Sequence, residues 1–469
     1  MAISFGTDGV RGVANVDLTP EDAFVLGRAG SYVLAQQASG VRPRIMVGKD
    51  TRLSGDMLEA ALAAGICSTG ADVLTIGVIP TPAVAYLTRK YEASCGIVIS
   101  ASHNPVQDNG IKFFGPNGFK LPDEIEREIE ELANHPVAVP RPHGVDVGQI
   151  YDVPEAMNNY VNYLAELYDL DRDLGTLTVV VDCANGAAWQ AGPRLLKHLG
   201  ARVICINDSP NGANINEHCG STYPQGLKKA VLQHRADLGI AYDGDADRCI
   251  AVDERGNEVD GDKIMVICGL DLKRRGRLGP AGVVATVMSN IGLDIAFRRE
   301  NVPVQSCKVG DRYVLETMQK TGAILGGEQS GHIIFLDHAT CGDGLLTSMK
   351  LMEAMRRSGL PLSVLAQEME QYPQKLVNQS SAMPQAVMEH PAVKRALQEA
   401  EEQLGEWGRM VVRPSGTEPL IRIMAQGSEQ RLVDDLVFSI QNAVETVEKE
   451  LTEQVANDEL VNENINQSI

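Results

Sequence analysis

The clearest chemical signal in the sequence is a run of alternating aspartates, DGDADR, which places Asp243, Asp245 and Asp247 at every second position. In an extended loop these carboxylates would point the same way, and three hard oxygen ligands suit Mg²⁺. A calcium EF-hand also alternates its acids, but its sixth position needs glycine and here holds Arg248. The segments on either side are strand-like, which also argues against an EF-hand. A solvated acidic turn is the ordinary alternative, and the strict alternation beside an arginine favours the metal site.

A second motif, SASHNP, places Ser102 directly after the apolar strand CGIVIS. Such a serine is a nucleophile, a phosphorylation site or a helix cap, and for a lone serine the cap is the default. The G-x-S-x-G pattern of serine hydrolases is absent. Neighbours on an extended loop point apart, which disfavours a pair between Ser102 and His103. A returning strand through NGIKFFG would bring Lys112 back beside Ser102.

A third motif, RPSGTEP, combines Arg413 with the hydroxyls of Ser415 and Thr417 and with Gly416, and Arg422 follows it. An arginine fork, hydroxyls and turn amides together form a phosphate cradle. The alternative is a tight Pro-Ser-Gly turn between strands. The flanking arginines favour the cradle.

A fourth motif, GGEQSGH, carries Glu328, Ser330 and His332 at alternate positions. On an extended segment all three would face one cleft, where a carboxylate and a hydroxyl suit sugar hydroxyl groups. Taken singly, each of these residues is equally well explained as part of a capped turn.

The composition limits the partners of the protein. The 469 residues include 42 Lys and Arg against 62 Asp and Glu, a formal charge of −20, which argues against nucleic-acid or membrane binding. A phosphorylated ligand would need a local cluster of basic residues. Nine cysteines without a C-x-x-C pair argue against a disulfide framework or structural zinc. With no apolar run of about 20 residues, the sequence predicts a cytosolic protein.

One strand–turn–helix unit recurs in three places, at 44–56, 177–189 and 282–294. Each copy leads through a helical pattern to a second strand, and then to a third strand that ends in SASHNP, DGDADR or GGEQSGH. Strands with little alternation, separated by helix-length segments, indicate parallel sheets covered by helices. Such sheets carry function in the loops at the carboxyl ends of their strands.

The fold class predicted is α/β, with three similar domains of mixed or parallel sheet and a smaller C-terminal α+β domain around a central cleft. Proline-rich and polar stretches separate the units. The predicted boundaries are 1–154 for domain I, 155–255 for domain II, 256–372 for domain III, 373–450 for domain IV and 451–469 for a disordered tail.

In this order, the four motifs resemble the α-D-phosphohexomutase superfamily across nearly the whole chain. The sequences of the FGTDGVRG and GGEQSGH motifs are most similar to those of the branch that acts on glucosamine phosphates. Branches that act on mannose or glucose phosphates are the alternative. The resemblance implies a phosphoserine enzyme that moves phosphate between two ends of a sugar. The expected partners are a phosphosugar and a bisphosphorylated intermediate, and a homodimer.

The resemblance also implies roles for the motif residues. Ser102 would carry the phosphoryl group, and one Mg²⁺ per chain would be held by Asp243, Asp245, Asp247 and a phosphoserine oxygen. The remaining expected site residues are Lys112, Arg248 and His103 for catalysis, Glu328, Ser330, His332 and Arg11 for the substrate, and Arg413, Ser415, Gly416, Thr417 and Arg422 for the distal phosphate.

Two rival functions have different consequences. A serine phosphatase would also use a phosphoserine and a metal, but it needs no distal phosphate clamp, so RPSGTEP counts against it. A non-catalytic sugar-phosphate-binding protein would not need the intact Ser102 and three aspartates. A mutase needs all four motifs, because its intermediate must bind in two orientations.

Overall fold

The computed structural model describes residues 3–6, 8–35, 42–135, 139–170, 173–415 and 419–466, with side chains up to residue 454. The chain divides into two compact units. The first comprises Met1–Thr286 and Asn301–Glu368, and the second comprises Val287–Glu300 and Met369–Ile469.

The first sheet of the larger unit has six strands in the order β1-β5-β4-β2-β3-β6. The strands are β1 (Val10–Val13), β2 (Arg44–Lys49), β3 (Asp72–Val78), β4 (Cys95–Ile99), β5 (Asp108–Phe114) and β6 (Ile150–Asp152), and the helices are α1 (Pro20–Ala35), α2 (Ser54–Cys67), α3 (Thr81–Lys90) and α4 (Asp123–Asn134). Strand β2 pairs in parallel with β3 and β4, whereas β5 runs antiparallel to β4. Every residue of β4 is buried, as expected for a strand covered by helices on both faces.

The second sheet has five strands in the order β11-β10-β9-β7-β8. The elements are α5 (Ala156–Glu166), β7 (Thr178–Asp182), α6 (Ala188–His198), β8 (Arg202–Ile206), α7 (Gln225–His234), β9 (Leu238–Tyr242), β10 (Cys249–Asp253) and β11 (Glu258–Val259). Strand β7 is parallel to β8 and β9, and β10 returns antiparallel to β9. This arrangement repeats that of the first sheet.

The third sheet has four strands in the order β13-β12-β14-β15, with β12 parallel to β13 and β14 and with β15 antiparallel. The elements of this unit are α8 (Gly261–Arg274), β12 (Val283–Thr286), β13 (Val304–Cys307), α10 (Asp311–Thr321), β14 (Leu325–Gly327), β15 (Ile333–Phe335), α11 (Gly344–Ser358) and α12 (Leu362–Leu365). The predicted parallel strands are thus confirmed in all three sheets, each of which ends in an antiparallel strand.

The smaller unit contains a three-stranded antiparallel sheet in the order β16-β18-β17. Its elements are α9 (Ile291–Arg299), β16 (Gln374–Ser380), α13 (Pro384–Glu389), α14 (Pro391–Leu404), β17 (Arg409–Pro414), β18 (Leu420–Gln426) and α15 (Gln430–Asn466). Apolar residues of α14, β18 and α15 form its core, among them Val393, Ile423 and Val437. The smaller C-terminal α+β domain of the predicted fold class is confirmed.

Helix α15 continues to Asn466, where the sequence analysis expects a disordered tail from 451. The segment from Gln430 to Asn466 contains neither glycine nor proline, and glutamate, leucine and glutamine favour helix even in a polar segment. Polarity alone was therefore a poor indicator of backbone structure here. Among the described residues, none of the helices has the length and apolar character needed to cross a membrane.

Candidate active site

Three of the four motifs lie at equivalent places in the three repeated sheets. The SASHNP loop follows β4, the DGDADR loop follows β9 and the GGEQSGH loop follows β14, each at the carboxyl end of the third parallel strand. In each case the antiparallel strand that follows returns the chain into the sheet. The local sequence pattern therefore places the loops, and the side chains within them decide the chemistry.

The three aspartates converge, but not on an extended loop. One ligand oxygen from each of Asp243, Asp245 and Asp247 lies within 4.8 Å of the others, and all three residues are buried. The loop is a tight turn in which Ala246 has a left-handed backbone with φ of 59°. A Cβ at Gly244 would lie 2.5 Å from the carbonyl oxygen of Ser102, so only glycine lets the two loops approach this closely.

The aspartate cluster has the character of a divalent cation site. The Oδ1 atoms of Asp245 and Asp247 are buried and have no hydrogen-bond partner. A buried carboxylate oxygen without a partner is costly unless a cation satisfies it. Three converging carboxylates, two of them with a buried oxygen that has no partner, fit Mg²⁺, as the sequence predicts.

The hydroxyl of Ser102 is attached to this cluster. Ser102 is 2% exposed, and its Oγ donates a hydrogen bond of 2.7 Å to Oδ2 of Asp243. Its backbone is left-handed, with φ of 52°. This conformation explains why the predicted separation of Ser102 and His103 is wrong: Nδ1 of His103 lies 3.3 Å from the serine Oγ, because the loop is not extended there.

Burial and neighbouring charges set the protonation of the groups around Ser102. Burial, together with Asp247 and Asp245, raises the pKa of Asp243 well above its usual value. Burial also lowers the pKa of His103 to about 4, with Arg248 and Arg11 adding to the effect. The His103 ring is therefore neutral at neutral pH and has a lone pair available beside the hydroxyl.

Lys112 lies on β5, but its contacts are with the DGDADR loop (243–248, the metal loop) and with Asp8 of the N-terminal FGTDGVRG motif. Its Nζ is 3.1 Å from Oδ2 of Asp245 and 3.0 Å from Oδ2 of Asp8. Burial lowers its pKa, but these two carboxylates outweigh burial and raise it above its usual value. Lys112 is thus held as an ammonium at neutral pH. Arg11 also pairs with Asp8.

Arg248 is held at the end of the metal loop. Its backbone N–H donates to Oδ1 of Asp243 at 3.2 Å, and its Nε lies 3.9 Å from Oδ2 of the same residue. Burial opposes its charge, but Asp243 and Asp247 raise the pKa of the guanidinium. A positive charge therefore lies beside Asp243, the carboxylate that accepts the hydrogen bond from the Ser102 hydroxyl.

His332 contacts the metal loop. It is 3% exposed, and its Nδ1 is 3.5 Å from Oδ2 of Asp247. Burial lowers its pKa, but Asp247 outweighs burial and raises it to about 9. The backbone N–H of Gly342, however, donates to Nε2 at 3.1 Å. That contact requires a lone pair and favours a neutral ring, and a cation on Asp247 would reduce the charge that raises the pKa.

The other residues of GGEQSGH lie in a turn and do not form an extended segment. The N–H of Gly331 donates to the carbonyl of Glu328, and Ser330 is exposed while His332 is buried. Oε1 of Glu328 accepts from the N–H of Gly310 at 3.0 Å, which fixes the carboxylate at the start of α10. The turn therefore directs Ser330 and His332 differently, and their common role toward a sugar stays a prediction.

The RPSGTEP motif begins in the last two residues of β17 and ends directly before β18. Arg413 and Arg422 are directly opposite each other in this strand pair, and both are half-buried. The N–H of Ser415 donates to the carbonyl of Leu420. Gly416 and Thr417 lie outside the described residues, so their predicted part in a phosphate cradle stays a prediction.

Sequence reasoning missed three residues that organise the site. Asp8 joins Lys112, Lys120 and Arg11, and these cations hold its pKa well below the usual value although burial raises it. Arg52 and Asn216 both donate to the carbonyl of Ser102. For Arg52 an available signal was the polar segment after β2, since this segment also lies at the carboxyl end of a parallel strand.

Models of one protein family match most of the chain. They are the alpha/beta/alpha domains I, II and III of phosphoglucomutase/phosphomannomutase, at residues 2–137, 158–256 and 260–372, and the C-terminal domain of the same family, at residues 376–443.

Similar full-length proteins are known from bacteria. A phosphoglucosamine mutase of Syntrophomonas wolfei is 66% identical over 442 residues, covering 94% of this chain and 98% of that protein. A phosphoglucosamine mutase of Desulforamulus reducens is 54% identical, covering 94% of this chain and 100% of that protein.

Solved structures share the fold at lower identity. A phosphoglucomutase/phosphomannomutase family protein from Burkholderia thailandensis has a TM-score of 0.78 at 23% identity, covering 94% of this chain and 97% of its own. An Aspergillus fumigatus N-acetylphosphoglucosamine mutase in complex with GlcNAc-6P and magnesium has a TM-score of 0.69 at 18% identity, covering 96% of each chain. With all four domain models matched and relatives above 50% identity, the chain belongs to the phosphoglucomutase/phosphomannomutase family.

Proposed function

We propose that this protein is a phosphoglucosamine mutase, which interconverts glucosamine 6-phosphate and glucosamine 1-phosphate. The reaction uses a phosphoserine enzyme and a bisphosphorylated sugar, and its product feeds amino-sugar nucleotide synthesis for cell-wall precursors. The observation that carries the proposal is the hydrogen bond of 2.7 Å between the Ser102 hydroxyl and Asp243, within a buried cluster of three aspartates. Relatives named phosphoglucosamine mutase, at 66% and 54% identity, support the choice of substrate.

In this mechanism Ser102 gives its phosphoryl group to one sugar hydroxyl and later recovers phosphate from the other end. Arg248 neutralises charge that develops on the transferring group, a principal task in phosphoryl transfer. Lys112, which Asp245 and Asp8 hold as an ammonium, supplies a proton to the oxygen that leaves. His103 is neutral and lies beside the serine hydroxyl, so it can accept the proton of the Ser102 hydroxyl when the serine recovers phosphate.

We further propose that one Mg²⁺ per chain is held by the three aspartates and a phosphoserine oxygen. When bound, the ion supplies electrostatic stabilisation of the charged oxygens of the phosphoryl group. The two buried Oδ1 atoms without partners, on Asp245 and Asp247, support this assignment. They are the oxygens left over after the neighbouring donors have been satisfied.

The substrate must bind in two orientations, because one serine acts on both ends of the sugar. We assign Glu328, Ser330 and His332 to the sugar, with Arg11 near the reacting end. The phosphate that is not being transferred is assigned to the motif of Arg413, Ser415, Gly416, Thr417 and Arg422. Directly opposed arginines on paired strands support an anionic ligand, because two neighbouring guanidinium groups can both donate to one phosphate.

The proposal extends to organisation and location. The four predicted domains, with boundaries at 154, 255, 372 and 450, correspond to the four sheets, except that β11 (Glu258–Val259) of the second sheet lies just beyond 255. All nine cysteines are free, which is typical of a reducing compartment and supports a cytosolic location. A homodimer stays a prediction that light scattering of the purified protein would test.

A coupled assay tests the substrate. Glucosamine, glucose and mannose 6-phosphates are each supplied with Mg²⁺ and a trace of the matching bisphosphate, and formation of the 1-phosphate is measured. We expect kcat/KM to be highest for glucosamine phosphate. A higher value for mannose or glucose phosphate would assign the chain to another branch of the family. Release of free phosphate without isomerised product would show a phosphatase.

A further inference from the structure

The loop that carries Ser102 is held by a fully buried arginine. The Arg52 side chain is 0% exposed, and its Nε donates to Oδ2 of Asp50 at 2.9 Å. Its two terminal nitrogens donate to main-chain carbonyls of the loop that carries Ser102 and of Asp108, the first residue of β5. These carbonyls belong to Ser102 (3.0 Å), Asn104 (2.8 Å), Pro105 and Asp108 (3.0 Å).

A second donor reaches the same loop from the second sheet's domain. Nδ2 of Asn216 donates to the carbonyls of Ser102 and Asn104, at 2.9 and 3.1 Å. Asn216 itself has a left-handed backbone with φ of 58°. Two carbonyls of the serine loop therefore each receive donors from two parts of the chain that are far apart in sequence.

The carbonyl of Ser102 is also the point at which the backbone of the metal loop, at Gly244, approaches the serine loop. A Cβ on Gly244 would lie 2.5 Å from this oxygen, so the backbones of the two loops are in direct contact. The left-handed conformation of Ser102 is unfavourable for a residue with a side chain and persists only when its surroundings fix it. Those surroundings include the donors on its own carbonyl, together with the hydrogen bonds from its N–H to Ser100 and from its hydroxyl to Asp243.

We propose that Arg52 and Asn216 are positioning residues that hold Ser102 in its left-handed conformation and so keep its Oγ on Asp243 of the metal loop. Neither side chain is assigned to the substrate. Their loss shifts the serine relative to the aspartates without altering the groups assigned to the sugar or to the distal phosphate. The inference rests on the proposed function for its kinetic readout.

The first test replaces Asn216 by glycine, which keeps the left-handed backbone accessible and removes both hydrogen bonds. A misplacement of about 1 Å costs on the order of a hundredfold in rate, so we expect Asn216→Gly to lower kcat by about tenfold or more, while KM for glucosamine phosphate changes by less than about twofold. Asn301→Gly is the matched control, because Asn301 is left-handed and exposed. An unchanged kcat, a change in KM alone, or an equal loss in the control would overturn the proposal.

The second test uses Arg52→Lys, which keeps the positive charge and loses the planar fork that serves several carbonyls. Arg28→Lys is its control, since Arg28 is also buried and donates to a main-chain carbonyl, that of Val139. We expect a fall in kcat of about tenfold or more only in Arg52→Lys. Because both residues act on the same carbonyls, the fall in the double variant with Asn216→Gly should be smaller than the product of the two single falls. A fully multiplicative loss would contradict a shared action.

Amide hydrogen exchange gives a readout that does not depend on activity. In Asn216→Gly we expect exchange at residues 102–108 to accelerate by about tenfold or more, while the helices of the same domain keep their protection. Unchanged protection in this loop would refute the inference even in an active enzyme. A wild-type protein that is inactive on every sugar phosphate would refute the proposed function, and hydrogen exchange would still test the positioning of Ser102.

Discussion

The two arginine-bearing sites of this protein are built on opposite principles. Around Ser102, in the larger unit, each cation has carboxylates beside it, as Lys112 has Asp245 and Asp8. In the smaller unit, Arg413 and Arg422 face each other across two paired strands. The first arrangement suits a group that stays attached to the protein, while the second suits an anion that arrives with the substrate. Carboxylates beside each cation are thus a feature of the reacting site, while two opposed guanidinium groups are the feature of the strand pair in the smaller unit.

Removing the reacting hydroxyl should have the largest effect. Ser102→Ala keeps the surrounding aspartates but leaves nothing to carry the phosphoryl group, so kcat should fall by roughly 10⁴-fold or more, as for other nucleophiles. Steady-state assays measure the fall, and intact-mass analysis should show a phosphorylated fraction in the wild type that the variant lacks. Activity near the wild-type level would show that Ser102 does not carry the phosphoryl group, and the two sites would then no longer differ in the way proposed.

Changing the metal loop should have the next largest effect. Oδ2 of Asp245 accepts from Thr81 and Lys112, and Asp245→Asn keeps this shape while removing one charge. Loss of even an outer partner of a metal site costs roughly 10–100-fold, so kcat and the apparent affinity for Mg²⁺ should both fall by at least that much. A titration of activity against Mg²⁺ measures both quantities. Asp337→Asn, at an exposed position, is the control, and activity that survives chelation would contradict the assignment.

Activity should be less sensitive to changes in the distal phosphate site of the RPSGTEP motif, because such changes weaken substrate binding and leave the reacting groups in place. Arg413→Ala removes a charge-assisted contact, and such contacts contribute about 1.5–3 kcal/mol, which corresponds to roughly ten- to a hundredfold in kcat/KM. The bisphosphorylated intermediate should also accumulate in solution, since its anchor is weakened. Chromatography of the reaction mixture measures it, with Arg395→Ala on the exposed face of α14 as control. Normal turnover without release would make RPSGTEP a structural turn.

The buried charges of the larger unit should also appear as a pH dependence of stability. Burial raises the pKa of Asp343 to about 6, so the folded state keeps its proton at pH values where the unfolded state has lost it. The contribution of Asp343 to stability is therefore greatest below about pH 4 and falls as the pH rises to about 6, by up to roughly 3 kcal/mol.

Asp343→Asn should remove that fall, because the amide does not titrate. Urea unfolding at pH 4, 5, 6 and 7 measures the free energy of unfolding of both proteins. The difference between wild type and variant should change between pH 4 and 6 and stay constant above. A constant difference throughout would show that Asp343 ionises normally. It would also show that the negative charge of Asp343 is balanced by more groups of the larger unit than its direct contacts indicate.

The sequence by itself determined which segments form strands and where the reactive loops begin. The repeated apolar strands predicted the parallel sheets because burial on both faces leaves a local signature. Ser102 and the three aspartates were identified for the same reason, since each follows such a strand. Helix α15 extends through the polar residues beyond 451 to Asn466, because helix propensity does not depend on apolar periodicity.

Only the tertiary structure decided how those loops fit together. Asp8, Arg52 and Asn216 contact residues far from them in sequence, and no local spacing encodes such contacts. The left-handed backbone of Ser102 brings His103 within 3.3 Å of its hydroxyl, which an extended loop would not allow. The physical reason is that this conformation is unfavourable in isolation and is held by donors that reach the loop only when the domains of the larger unit have folded together.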